Sequence, residues 1–275
     1  MVNQLNLAQR VRLRLELLVQ KLLSKFGLVL IRAITYEDLV KNSSRGRILR
    51  MLEVYPPSNG LDKFWFLEGR SKAQLSQDLL AVLVSNFKQR GFFVEFGATD
   101  GETLSNTYIL EKELGWTGIL AEPARMWHSK LTSQRQAKVS DMAVWAKSGE
   151  ELLFHEDAEL STIHGFEQLR HEARSGVTYK VKTISLNDLL SSLNAPRFID
   201  FLSVDTEGSE FEILSSLDWG KWSFGLICVE HNGTEFRPQI FELMTQKGYK
   251  RILEDVSGWD DWYVPVNPQS PGVDE

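Results

Sequence analysis

Four apolar runs in this chain end on acids, and the residues around those ends are of the kinds that hold a small charged molecule. The first run lies in FFVEFGATDGETLSNT, residues 92–107, where it meets Glu95 and turns through Gly97 and Gly101. Small residues at such a turn serve any strand-to-helix connection, but they also let a nucleotide-like cofactor approach the backbone. A dinucleotide would need three glycines at set positions for its pyrophosphate. Counting from Gly97, Thr99 and Glu102 occupy the other two places, which argues against an NAD-dependent oxidoreductase. A cofactor with cationic groups fits better, since a carboxylate such as Glu95 attracts them. Glu122 ends the second run, GILAE, 21 residues after Gly101, and an acid there accepts hydrogen bonds from ribose hydroxyls. Asp141, in SDMAV, is either a partner for an adenine amino group or a plain loop residue.

FLSVDTEGSE and ICVEHN carry the second set of candidates: Asp205, Glu230 and His231. A neutral hydroxyl is a poor nucleophile and must shed its proton as a bond forms to its oxygen, so a base here suits transfer of a group to an alcohol. His231 has the most suitable ordinary pKa, about 6.5, and Asp205 either orients it or acts in its place. Ser209 and Glu210 read as helix-capping residues. Asp205, Glu207, Glu230 and His231 also offer ligands for Mg or Mn, although no compact ligand spacing marks such a site.

These residues need a scaffold that brings strand ends together. From residue 73 the pattern alternates: a helix over about 73–89, the strand FFVEFG, a helix from about 104 to 114, the strand GILAEP, a helix over 125–134 and the strand AKVSDMAVW. It resumes with SLNDLLSSL, FIDFLSVD, SEFEILSSL, GLICVEH, a helix over 237–247, YKRILED and WYVPV. Alternation of this kind predicts a mostly parallel sheet covered on both faces. Residues 150–182 interrupt it with charged residues and three of the five histidines (His155, His164, His171), and read as an excursion or lid above the sheet. Residues 42–72 read as a loop-rich connector and 267–275 as a disordered tail. Trp259, Trp262 and Tyr263 either stack on a sugar ring or pack as a terminal hairpin.

The chain has 275 residues, of which 43% are hydrophobic, enough for one full core with an appendage. A net charge of -6 excludes a global basic field and with it nucleic acid as a partner. The charge is uneven. The first fifty residues hold ten Lys or Arg against three acids, a net of +7, so the remainder carries -13. Within them Leu15, Leu18, Leu22 and Phe26 form an amphipathic helical stripe over residues 5–26. It suits packing on the main domain, a homodimer contact or a peripheral contact with the inner face of a membrane. FGLVLIRAI is too short to span a bilayer, which takes roughly 20 apolar residues. The single cysteine, Cys228, excludes an intrachain disulfide and reads as a core residue. It fits a reducing, cytoplasmic setting.

Taken in order, QLSQDLL, FFVEFGATDGETLSNT, GILAEP, VKTISLNDLL, FLSVDTEGSEFEIL and ICVEHN resemble the FkbM family of S-adenosylmethionine-dependent methyltransferases, over about residues 73–262. The pairing of VEFGATDG with VDTEGSE is far more specific than either piece. The family's acid-x-Gly-x-Gly-x-Gly turn has one glycine replaced here, by Thr99. The loss is tolerable because this cofactor carries no pyrophosphate. The resemblance implies a class I methyltransferase, Rossmann-like fold with a mostly parallel seven-stranded sheet; it does not extend to the first fifty residues, and 1–72 read separately as an N-terminal helical extension and connector. The resemblance also implies S-adenosylmethionine as donor and a hydroxyl of a sugar, glycolipid or polyketide as acceptor. Carried over by position, the cofactor site comprises Glu95, Gly97, Thr99, Asp100, Gly101, Glu122 and Asp141. The competing reading is a noncatalytic protein that keeps the fold and reaches a membrane or complex through its basic helix.

Overall fold

The computed structural model describes residues 43–158, 161–163 and 176–267. The amphipathic stripe of 5–26, His164, His171 and the tail beyond 267 lie outside these described residues. The region expected to be a loop-rich connector contains two helices, α1 (Ser44–Val54) and α2 (Leu61–Glu68). Ser43 caps α1 by accepting from the Gly46 N–H at 2.9 Å. The YPPSNG turn separates the pair, and Met51, Phe64 and Leu67 are fully buried in the main core. A helix of eleven or eight residues shows too few apolar repeats for its periodicity to stand out between turn signals.

The main sheet contains β1 (Phe92–Phe96), β2 (Thr117–Ala121), β3 (Lys138–Ser140), β8 (Phe198–Val204), β9 (Ser223–Glu230), β10 (Tyr249–Ile252) and β11 (Asp260–Pro265). Their order is β10-β11-β9-β8-β1-β2-β3. The five from β9 to β3 run parallel, while β11 lies antiparallel between β9 and β10, so the sheet is mixed. Alternate residues face two separate cores. Phe93, Phe201, Leu226, Cys228 and Trp262 meet α1, α2, α3 (Gln77–Val84) and α4 (Tyr108–Leu114). Val94, Leu202, Ile227, Val229 and Tyr263 meet α6 (Leu186–Ser192), α7 (Glu210–Ser215) and α8 (Arg237–Gln246). Trp262 and Tyr263 are therefore core residues, and of the expected aromatic group only Trp259 is exposed.

The third expected strand divides. β3 joins the main sheet, and after Asp141 the chain enters β4 (Ala143–Trp145) of a second sheet. The excursion supplies the rest of that sheet: β5 (Glu151–Glu156), β6 (Thr162–Ile163) and β7 (Val177–Ser185), in the order β4-β7-β5-β6. Thr162 Oγ1 donates to the Glu207 carbonyl at 3.0 Å, tying β6 to the loop after β8. Among the described residues, the remaining helix, α5 (Arg125–Gln134), follows β2.

Candidate functional site

The parallel strands all end at one edge, where β1, β2 and β8 release their loops beside one another. Gly97 is required there. Its φ is +68°, and a Cβ at this position would lie 2.4 Å from the Asp205 carbonyl oxygen, so the β1 and β8 loops can cross only over a glycine. Thr99 is also left-handed, at φ 45°, and donates its N–H to Glu122 Oε2 at 2.8 Å. Gly97, Thr99, Glu122, Asp205 and Glu207 line a cleft roofed by Phe154 and Ile163 of the second sheet. Its volume is about 50 Å³, room for a water or two.

Glu122 is 4% exposed, and its other oxygen accepts from the Ala124 N–H at 2.8 Å. Burial pushes its pKa up to about 7, the fields of Asp205 and Glu156 adding to the rise and the two backbone donors opposing it. Both of its hydrogen-bond donors are neutral, so a nearby cation would stabilise its ionised form.

The other members of the expected cofactor set are placed differently. Glu95 is buried beneath the cleft, and its oxygens hold the stretch before α4: Oε1 accepts from Asn106 N–H at 2.6 Å, Oε2 from Ser105 Oγ at 3.0 Å and from Thr107 Oγ1. Those bonds explain why α4 begins at Tyr108 and not near Leu104. Burial raises the Glu95 pKa against the Arg135 charge, 3.9 Å away. Asp100 caps its own turn through the Glu102 and Thr103 N–H groups and pairs with Lys130. Although burial works against ionisation, the Lys130 ammonium and those N–H groups bring Asp100 down to about 2. Gly101, at φ +86°, lets Arg135 and Leu131 of the α5 region approach; a Cβ would meet them at 2.7 and 2.8 Å. Asp141 is exposed between the two sheets and does not line the cleft.

The side chains of Asp205 and Glu230 come together and that of His231 does not. Ligand oxygens of Asp205, Glu207 and Glu230 all lie within 4.8 Å of one another, a spacing at which one hard cation could be held. Alternation along β9 puts Glu230 on the Cys228 face and His231 on the Val229 face. His231 accordingly approaches Asp261, Nε2 to Oδ1 at 3.8 Å, where Arg237 and Arg251 already grip that carboxylate at 2.8 and 3.1 Å. Its Nδ1 accepts from the Gly233 N–H at 2.9 Å, and burial lowers its pKa. The expected Asp205–His231 partnership is therefore not formed.

Glu210 organises the DTEGSE loop, accepting from Thr206 N–H at 2.9 Å and Gly208 N–H at 3.0 Å. Asp260, which the sequence reading passed over, is the cross-strand partner of Glu230 and accepts from Gln77 Nε2 at 2.8 Å. Burial, with Asp205 adding, raises it to about 7. The parity of WDDW was the available signal: once Trp262 is core on the Cys228 face, Asp260 shares that face with Glu230.

An α/β sheet with a carboxylate-lined cleft at its parallel strand ends has the form of a small-molecule site at the carboxyl edge of an open sheet. The chain belongs to the FkbM methyltransferase family, whose methyltransferase FkbM domain matches residues 95–251. Among solved structures it is similar to methyltransferase FkbM from Methylobacillus flagellatus KT, at 13% identity and TM-score 0.40 over 74% of this chain. The chain spans 58% of the length of that protein. It is also similar to precorrin-6y C5,15-methyltransferase from Geobacter metallireducens GS-15, at 8% identity and TM-score 0.40 over 72% of this chain and 93% of the other. The carbon methyltransferase CurJ aligns at 10% identity and TM-score 0.36, over 89% of this chain and 69% of the other. No relative among curated protein sequences matches the chain.

Proposed function

We propose that this protein is an S-adenosylmethionine-dependent O-methyltransferase of class I, Rossmann-like architecture, acting on a hydroxyl of a sugar, glycolipid or polyketide-type acceptor. The observation that carries the reading is the juxtaposition, at one sheet edge, of the Gly97–Thr99 turn bonded to Glu122 with the carboxylates of Asp205 and Glu230. The cofactor, when bound, supplies an electrophilic methyl on a positively charged sulfur. Gly97 and Thr99 line the cleft that receives it, and Glu122 has lone pairs left over for ribose hydroxyls. Asp205, at the end of β8, accepts the proton of the acceptor hydroxyl, with Glu230 beside it on the same face. Aligning acceptor oxygen and methyl carbon contributes much of the rate. The cleft must widen to admit a nucleoside.

Calorimetry with S-adenosylmethionine tests the cofactor assignment. Glu122→Gln should weaken binding by about 10- to 100-fold, the worth of a hydrogen bond to a charged group. No binding heat from the unsubstituted protein at millimolar cofactor would leave a noncatalytic binding module instead. The acceptor is found by deleting the gene in its host and comparing surface glycans and secondary metabolites for a species lighter by one methyl group.

The 4.8 Å grouping of Asp205, Glu207 and Glu230 favours a second reading in which a divalent cation sits beside the acceptor hydroxyl and lowers its pKa. Methyl transfer that survives chelator unchanged would remove the metal from the reaction.

A further inference from the structure

The strands whose carboxyl ends build the acidic cleft begin at the opposite edge of the sheet, and there the charge is basic. The segments that lead into β8, β9 and β10 hold Arg197, Lys221, Lys247 and Lys250 against Asp200 and Asp218. Asp200 is already matched by Lys88 at 2.7 Å and by the Phe92 N–H at 2.9 Å. Arg197, Lys247 and Lys250 are exposed, and among the described residues none of the three forms an ion pair.

A cavity of about 400 Å³ opens among these segments, against about 50 Å³ for the cleft. Small-molecule sites run from roughly 300 to 1,000 Å³. Its walls are aromatic: Phe198, Trp219, Trp222, Phe224 and Tyr249. Trp219 meets Phe224 and Tyr249 edge to face, with ring centroids 5.9 and 5.6 Å away, so the rings brace one another around the space. Tyr249 is 6% exposed, and its hydroxyl accepts from the Phe224 N–H at 2.9 Å. Burial raises its pKa to about 12, so at neutral pH the hydroxyl keeps its own proton to donate. Lys247 lines the same cavity. Two donors, one of them cationic, set in aromatic walls complement a flat ring that carries an anion. We infer that this cavity is a second small-molecule site for an aromatic carboxylate, whose ring packs on the aromatic walls and whose anion meets Lys247 and the Tyr249 hydroxyl. The inference is independent of the methyl-transfer reading, which uses the other edge of the sheet.

Calorimetry of the full chain with cinnamate, and with cinnamamide as the uncharged counterpart of the same shape, tests it. Cinnamate should bind about tenfold or more tightly than the amide, the worth of a hydrogen bond to a charged group. Lys247→Ala changes an exposed side chain, so the melting temperature should hold while cinnamate affinity falls about tenfold and amide affinity stays level. Trp219→Ala should weaken both ligands. Equal affinity for acid and amide, no cinnamate binding at millimolar concentration, or binding indifferent to both substitutions would overturn the assignment. So would displacement of cinnamate by S-adenosylmethionine, since the ligand would then occupy the cleft.

Discussion

Gly97 is the residue on which the cleft's geometry turns, because two loops cross there with no space for a side chain. In Gly97→Ala the new Cβ starts 2.4 Å from a backbone oxygen, at a φ that L residues rarely adopt. Neither the β1 nor the β8 loop can yield without disturbing the other. The substitution should cost about 1–3 kcal/mol, read as a lower urea midpoint. It should also abolish cofactor binding, because relief requires Asp205 to move; binding retained at the unsubstituted affinity would show that the crossing does not shape the site. Glycine at this position was legible from its place after an apolar run, but its reason was not, since the obstructing atom belongs to a residue 108 positions later. Glu95 teaches the converse. An acid ending a strand read as a cofactor ligand, yet its neighbours at 105–107 consume its oxygens, and no single-residue reading distinguishes the two fates.

At the scale of elements, α5 is fixed to the rest of the site through Arg135, the residue that ends it. That side chain is wholly buried, donating to the Gly101 carbonyl at 2.9 Å, to Ser105 and Thr107 hydroxyls at 3.1 and 2.9 Å, and pairing with Glu111 at 3.2 Å. Arg135→Met keeps the bulk but strands two buried carboxylates, Glu95 and Glu111. A loss of about 3–5 kcal/mol follows, with the 101–107 stretch as the first region to lose amide protection in hydrogen exchange. Stability within 1 kcal/mol of the parent would mean these carboxylates are satisfied without it. Strands were the legible elements, because apolar runs ending on acids or glycine are bounded on both sides. The division of AKVSDMAVW between two sheets was hidden, since Ser140-Asp141-Met142 holds neither Gly nor Pro to mark the break. Helices α1 and α2 were hidden by their shortness. The facing of His231 could have been read by counting parity from Cys228, a step that needs only the strand to be unbroken.

Across the described residues, burial favours the protonated form of several acids. Burial raises Asp78 to about 6, and Glu122 and Asp260 to about 7, each above the ordinary carboxylate value. Between pH 5 and 8 the folded chain therefore holds protons that the unfolded chain has released. Since stability changes with pH in proportion to protons bound unfolded minus folded, the slope is negative and stability falls as pH rises through 6 to 7. His231, with its lowered pKa, pulls the other way, but as one group against three. Asp100, held near 2, contributes stability lost only in strong acid, outside this window. The apo protein should thus melt at a higher temperature at pH 5.5 than at pH 8, where these buried acids ionise and the net charge reaches its formal value of -6. A cationic cofactor beside Glu122 reverses the local preference by favouring the ionised carboxylate. The rise in melting temperature on saturation with S-adenosylmethionine should accordingly be larger at pH 8 than at pH 5.5, and Glu122→Gln should remove most of that difference. Melting temperatures that stay level or climb from pH 5.5 to 8 without cofactor would mean these buried acids are already ionised in the fold, with cationic partners among the protein's own side chains.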